Sequence, residues 1–186
     1  FDNTYKEILK TIDKAKNSKN IPFSVFKVSG IANIELLEKV QKGEILDAEE
    51  ITAFENVKTR FQNISEHAYK QNIKLFVDAE ESWVQNVIDN LANEMMEKFN
   101  KSKAIIYNTY QLYRNDTLEN LKNITEIARE RKFHVGAKLV RGAYMEKERE
   151  RSHEENYSEP IHVDKQSTDN DYNLAIDFSL ENRDVV

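Results

Sequence analysis

Ile73-Lys74-Leu75-Phe76-Val77-Asp78-Ala79 is the stretch on which the fold turns. Its centre is apolar and rich in strand-forming residues, it is too short for a buried helix, and it closes on an acid. Directly after it, Trp83, Val87, Leu91, Met95 and Phe99 recur every four residues, the spacing of one helix face. A strand feeding a helix is one β/α unit, and the same grammar returns three times. Phe23–Ser29, Ala104–Tyr110 and Gly136–Gly142 are short strand-like runs, each followed by helical periodicity. Alternation of this kind predicts a parallel sheet with helices as crossovers. One polar residue near the end of each run gives Lys27, Asp78, Asn108 and Lys138, separated by 51, 30 and 30 residues. A β/α unit takes about 30 residues. The first interval therefore holds an additional helical insertion, supplied by Ile34–Val40 and Asp47–Tyr69. The fold expected is α/β, a partial (β/α)8 barrel of four strands with their helices.

Other helices follow from the same reading. In Asp47–Tyr69, Ile51, Phe54, Val57, Phe61, Ile64 and Ala68 share one stripe, and Asp47 with Glu50 forms a capping box at its start. Leu118, Leu121, Ile124 and Ala128 follow Asp116 as N-cap. Tyr5–Ala15 and Tyr172–Leu180 are shorter helical candidates. The acid-rich copy Asp47-Ala48-Glu49-Glu50 repeats the letters of Asp78-Ala79-Glu80-Glu81, but its place at a helix start marks it as a cap. Glu146–Glu155 mixes both signs densely and reads as a solvated helix face.

Composition removes several function classes. The chain has 186 residues, 27 Lys+Arg against 33 Asp+Glu for a net charge of −6, no Cys, 4 Gly and 2 Pro. Without cysteine there is no disulfide framework, thiolate nucleophile or thiolate-ligated metal, and a reducing compartment is favoured. An acidic balance opposes nucleic-acid binding. His67, His134, His153 and His162 show no ligand spacing, so no metal is expected. No apolar run approaches the ~20 residues of a membrane span.

Chemistry concentrates at the strand ends, where β/α folds place their sites. Lys27 lies in Val25-Phe26-Lys27-Val28, and an ammonium among apolar neighbours needs a negative partner. Asp78 and a ligand carboxylate are both candidates. Gly136-Ala137-Lys138-Leu139-Val140-Arg141-Gly142-Ala143-Tyr144 is the densest motif, with two cations three residues apart around a strand end.

Taken together, Lys138-Leu139-Val140-Arg141-Gly142-Ala143-Tyr144, Val77-Asp78-Ala79-Glu80, Asn108-Thr109-Tyr110-Gln111 and Phe26-Lys27-Val28 closely resemble proline dehydrogenase, the flavin enzyme of proline catabolism. The motifs occur in the family's order and spacing, over about Ile21 to Phe178. The resemblance implies FAD at the C-terminal face of a distorted barrel, and transfer of hydride from C5 of L-proline to flavin N5. By the family pattern, Lys27 meets the substrate carboxylate, Tyr144 borders the substrate pocket, and Asp78 is an active-site acid holding the Lys27 ammonium in place. Ala79 and Asn108 contact the flavin, Asn108 standing where many members carry Gln. Lys138 lies near the flavin N5 and pyrimidine edge, at a position that is often Arg in bacterial relatives. Val140, Arg141, Gly142 and Ala143 line the cofactor. The resemblance further implies quinone as electron acceptor and a cytoplasmic location with peripheral contact at an inner membrane, on the matrix side in a eukaryote.

One departure qualifies this. The family completes its carboxylate site with a Tyr-x-x-Arg-Arg motif on a late barrel helix, and no such motif occurs here. Four strands, against the eight of a closed barrel, read as the first half of one domain. Residues 1–20 form a preceding helix, residues 21–186 a half-barrel, and the C-terminal half is absent, so that the segment alone is expected to be inactive. Two rival readings stand beside this one: a Schiff-base barrel enzyme using Lys27 or Lys138, and a non-catalytic piece with exposed edge strands.

Overall fold

A computed structural model describes residues 1–186. Four parallel strands, β1 (Phe23–Lys27), β2 (Lys74–Asp78), β3 (Ile106–Gln111) and β4 (Ala137–Val140), pair in the order β1-β2-β3-β4. Each strand pairs with its successor in the chain, as adjacent staves of a (β/α) barrel do, and the sheet has no point where the strand order reverses.

The helices are α1 (Asp2–Lys16), α2 (Ile34–Lys42), α3 (Ala48–Gln71), α4 (Ser82–Phe99), α5 (Thr117–Arg131), α6 (Met145–Glu154) and α7 (Lys165–Glu181). The insertion between β1 and β2 is α2 with α3, as the long first interval predicted. The capping box at Asp47 forms: its carboxylate accepts from Glu49 N at 2.9 Å and Glu50 N at 2.8 Å, and Glu50 reaches back to Asp47 N at 3.1 Å.

Strand side chains alternate between two faces, and this alternation organises the molecule. Ser24, Phe26, Leu75, Val77, Ile106 and Tyr110 turn towards the helices and are buried. There they meet Phe61 and Ile64 of α3, Ile88 and Met96 of α4, and Leu121 and Ala128 of α5 in one apolar core. Each fully buried side chain of this size contributes about 1.5–3 kcal/mol. The opposite face carries Phe23 and Val25, both exposed, then Phe76 and Tyr107. Phe23 stacks on Phe76 at 4.5 Å and Phe76 leans on Tyr107 at 5.0 Å. Gly136, at the foot of β4, is sterically obligatory: a Cβ there would lie 2.2 Å from Ile106 O and 2.8 Å from Tyr107 Cα.

Three local expectations change. Asp116 occupies the N-cap of α5, but its carboxylate makes no cap bond. It pairs instead with the buried guanidinium of Arg114, at 2.7 and 3.1 Å, because a charged fork outcompetes backbone N–H groups. Ile51 is half exposed, since the first turn of α3 overhangs the core. The Glu146–Glu155 run is not simply solvated. Glu148 is fully buried and accepts from both Ser82 N and Ser82 Oγ at 2.6 Å, capping α4 from another helix. Arg151 stacks on Trp83 at 4.4 Å and bonds Glu38 at 2.5 Å. No helix is long and apolar enough to cross a membrane.

Candidate active site

Polar side chains close the barrel-facing rows of β1, β2 and β3 at the C-terminal rim, and Lys138 lies two residues before the end of β4. Lys27 and Asp78 are direct register partners across β1 and β2. Lys138 of β4 stands opposite Thr109, and Val140 opposite Gln111. Strand alternation therefore brings Lys27, Asp78, Gln111 and Lys138 to one face, with Tyr144 descending onto them from the start of α6.

Two short contacts define the geometry. Lys138 Nζ donates to Asp78 Oδ1 at 2.5 Å, and Lys27 Nζ donates to Tyr144 Oη at 2.5 Å, with its ammonium 5.2 Å from the ring centroid. Asp78 thus lies beside Lys27 as expected, yet its bond goes to Lys138. The hydrogen bond to Tyr144 holds the Lys27 ammonium above the usual lysine range, opposed by partial burial and aided by the charges of Tyr144, Glu80 and Asp78. Lys27 is therefore firmly charged.

Tyr144 is held from outside the rim. Glu148, one turn along α6, is anchored in the N-terminus of α4, and Lys147 bonds Glu81 at 2.9 Å. Behind the rim, Glu80 is buried and accepts from Ser29 N at 2.8 Å, tying the turn after β1 to the turn after β2. Tyr113 is also buried, and burial pushes its phenol up to about 12.

The remaining residues sort by orientation. Ala79 is buried directly beyond Asp78. Val140 is half buried, and Arg141, Gly142 and Ala143 lie exposed along the lip of β4. Arg141 is already positioned, bonding Asp169 at 3.1 Å with its guanidinium 4.6 Å from the Tyr172 ring centroid. A Cβ at Gly142 would meet nothing nearer than Met145 Sδ at 3.4 Å, so this glycine leaves open surface.

Asn108 does not join the group. It is 1% exposed and turned to the helix side of β3, where its Nδ2 donates to Asp89 of α4 at 2.8 Å. The regular 30-residue spacing selected it, but strand alternation puts it on the wrong face for a rim ligand. Gln111, which the spacing passed over, takes the rim position. Its Nε2 donates to Glu80 O and Tyr113 Oη, each at 2.8 Å, and its buried Oε1 has no partner. An orphaned amide oxygen on the barrel-facing side is an acceptor that the imide N–H of a planar group such as a flavin ring would satisfy, so the residues present fit FAD. Gln111 was discoverable from strand period alone, being three residues, an odd step, beyond Asn108.

The family model described as "Proline dehydrogenase" matches residues 1–186. "Proline dehydrogenase 1, mitochondrial" of Caenorhabditis elegans is 38% identical over 152 residues, covering 82% of this chain and 24% of that protein. The carbapenem antibiotics biosynthesis protein CarD of Pectobacterium carotovorum is 31% identical over 178 residues, covering 96% of this chain and 46% of that one. Among solved structures, proline utilization A from Bdellovibrio bacteriovorus superposes with a TM-score of 0.82 at 17% identity, covering 99% of this chain and 20% of that one. The chain spans less than half the length of these curated relatives. With a family match along its whole length and a shared fold, the chain belongs to the proline dehydrogenase family.

Proposed function

We propose that this segment forms the substrate-carboxylate and flavin-facing half of an enzyme that oxidises L-proline to 1-pyrroline-5-carboxylate, with FAD as electron acceptor and quinone as the next carrier. The observation that carries the reading is the Lys27 ammonium, held charged against Tyr144 at the barrel-facing rim with the Asp78–Lys138 pair beside it. Lys27 binds the proline carboxylate by a charge-assisted hydrogen bond, and Tyr144 covers the ring that the carboxylate anchors. Fixing one end of a small rigid substrate leaves its C5 a narrow range of positions, which is where orientation supplies rate.

Asp78 keeps the Lys138 ammonium directed across the rim. Lys138 and Arg141 place positive charge along the lip of β4, where negative charge accumulates as the substrate is oxidised. Ala79, Val140, Gly142 and Ala143 border the same surface, and the unpartnered Gln111 Oε1 would accept an imide N–H there. FAD bound there supplies the two-electron oxidising chemistry. Asn108 is left out of the cofactor set. The exposed aromatic face of the sheet and its unpaired β1 and β4 edges support a barrel completed by further strands, which would bring the rest of the carboxylate site. A peripheral membrane encounter fits a quinone acceptor.

The test is anaerobic addition of L-proline to the FAD-loaded enzyme that contains this segment. Proline-dependent bleaching of the flavin absorbance is expected, and an unchanged spectrum overturns the reading. The Schiff-base alternative needs a neutral, free amine, and it is disfavoured by the bonds that occupy both lysines, Lys27 to Tyr144 and Lys138 to Asp78. Borohydride with a carbonyl substrate is expected to trap no lysine adduct.

A further inference from the structure

On the far side of the sheet from the rim, α4, α5 and the helix-facing side of β3 enclose a cleft of about 410 Å³. Where neighbouring barrel helices ordinarily meet through apolar side chains, this one is lined chiefly by asparagines and acids, and no lysine or arginine reaches it. Its floor is unusual. Asp89 is pressed into it, with Oδ1 accepting from Gln85 Nε2 at 2.7 Å and from Asn108 Nδ2 at 2.8 Å. Burial pushes the Asp89 carboxyl up, opposed by those two amides and by the positive charge of Arg114. The nearby Arg114 is committed to Asp116 at 2.7 Å and forms no bond with Asp89.

Around this carboxylate, oxygens lack partners. Asn108 Oδ1, on a residue 1% exposed, and Asn93 Oδ1 are both buried without a hydrogen bond. Buried acceptors without donors are costly, and a buried carboxylate with no cation bonded to it is costlier. Those deficits share a remedy, a cation that carries several N–H donors. Ile124 and Ile127 supply an apolar wall on the α5 side of the same cleft.

We propose that the α4–α5 cleft is a binding site for a small aliphatic primary-ammonium ligand, whose N–H groups bond Asp89, Asn93 and Asn108 while its hydrocarbon lies against Ile124 and Ile127. The site is separate from the rim, because the side chains of β3 alternate between the two. It does not depend on the rim's proposed chemistry.

Isothermal titration of the FAD-loaded enzyme that contains this segment with n-butylammonium chloride at constant ionic strength tests it. Saturable one-to-one binding is expected, with a rise in Tm. Tetramethylammonium, which has the charge but no N–H, is expected not to compete. Asp89→Asn is expected to weaken binding at least tenfold, and Asn93→Leu, which leaves the acid untouched, to weaken it as well. A thermal melt confirms that each variant is folded, and if Asp89→Asn is not, Asn93→Leu alone decides. A flat titration, binding equal in the folded variants, or equal binding of tetramethylammonium overturns the proposal, the last two outcomes reducing it to unspecific charge attraction or water-filled packing.

Discussion

The rim and the α4–α5 cleft are built from the same few strands, and each holds a carboxylate, yet they have opposite characters. At the rim, Asp78 has a lysine at 2.5 Å and a second lysine on the adjacent strand. In the cleft, Asp89 is hydrogen-bonded only by amides, and the nearby Arg114 is bonded to Asp116 instead. An acid bonded to a fixed cation directs it, whereas a buried acid that no cation bonds is a cost that packing alone does not remove. The separation is made within β3, where Asn108 faces the cleft and Gln111 faces the rim. Chemistry that looks contiguous in sequence is thus divided between two sides of one sheet.

The largest effect expected is on catalysis. In the FAD-loaded enzyme, Lys27→Met removes the carboxylate anchor, and a loss of about 10²–10³-fold in kcat/KM for proline is expected, with KM taking most of it. Asn108→Leu, on the other side of the sheet, is expected to leave kcat/KM near that of the parent while costing about 1–3 kcal/mol of stability through the stranded Asp89 bond. Stopped-flow flavin reduction and urea unfolding of the two variants measure the contrast. A catalytic defect in Asn108→Leu as large as that of Lys27→Met would erase the distinction between the two sides.

Next in size is Glu148→Ala. Deleting a fully buried carboxylate that accepts two 2.6 Å bonds is expected to cost about 2–4 kcal/mol. It frees α6, so the KM for proline should rise through loss of Tyr144's position. Urea denaturation reads the stability, and steady-state kinetics of the loaded enzyme read the position.

Smaller effects lie in pH dependence, and the two sides differ in sign. The Asp89 carboxyl is raised in the folded state, so the native form holds its proton longer than the unfolded chain. Below the ordinary carboxylate range both states are protonated and nothing is gained. As pH rises through the folded value, stability falls to a lower plateau. Asp89→Asn should remove that fall, as thermal melts across the acid range would show. Lys27 is raised as well, but as a base. Its contribution is fully present below the ordinary lysine value and is lost as pH climbs through the folded one. It is the smallest effect, confined to alkaline solution and reduced by solvent screening. Lys27→Met should flatten only that limb of the melting profile.

Much of this was legible beforehand. The β/α alternation, the insertion filled by α2 and α3, and the Asp47 cap depend on local periodicity and local hydrogen bonds, which neighbours in sequence suffice to specify. Lys27, Asp78 and Lys138 were legible as neighbours for a related reason, because strand ends in a parallel sheet converge, whereas Tyr144 was reached only through the family motif. The pairing was not legible. Asp78 was expected to hold Lys27 and holds Lys138, a choice made by side-chain reach across the rim. Glu148 and Asp116 show the same limit, since both sit in polar stretches whose partners lie on other elements or compete locally.

By itself, the sequence determined the order and kind of the elements and the family motifs, because hydrophobic period and motif spacing are properties of the chain. Only the tertiary structure decided which face each strand residue occupies and which charges meet. A single residue's shift in where β3 begins reverses every side chain along it, and regular spacing does not encode that parity. Asn108 faces the helices and Gln111 the barrel side for that reason.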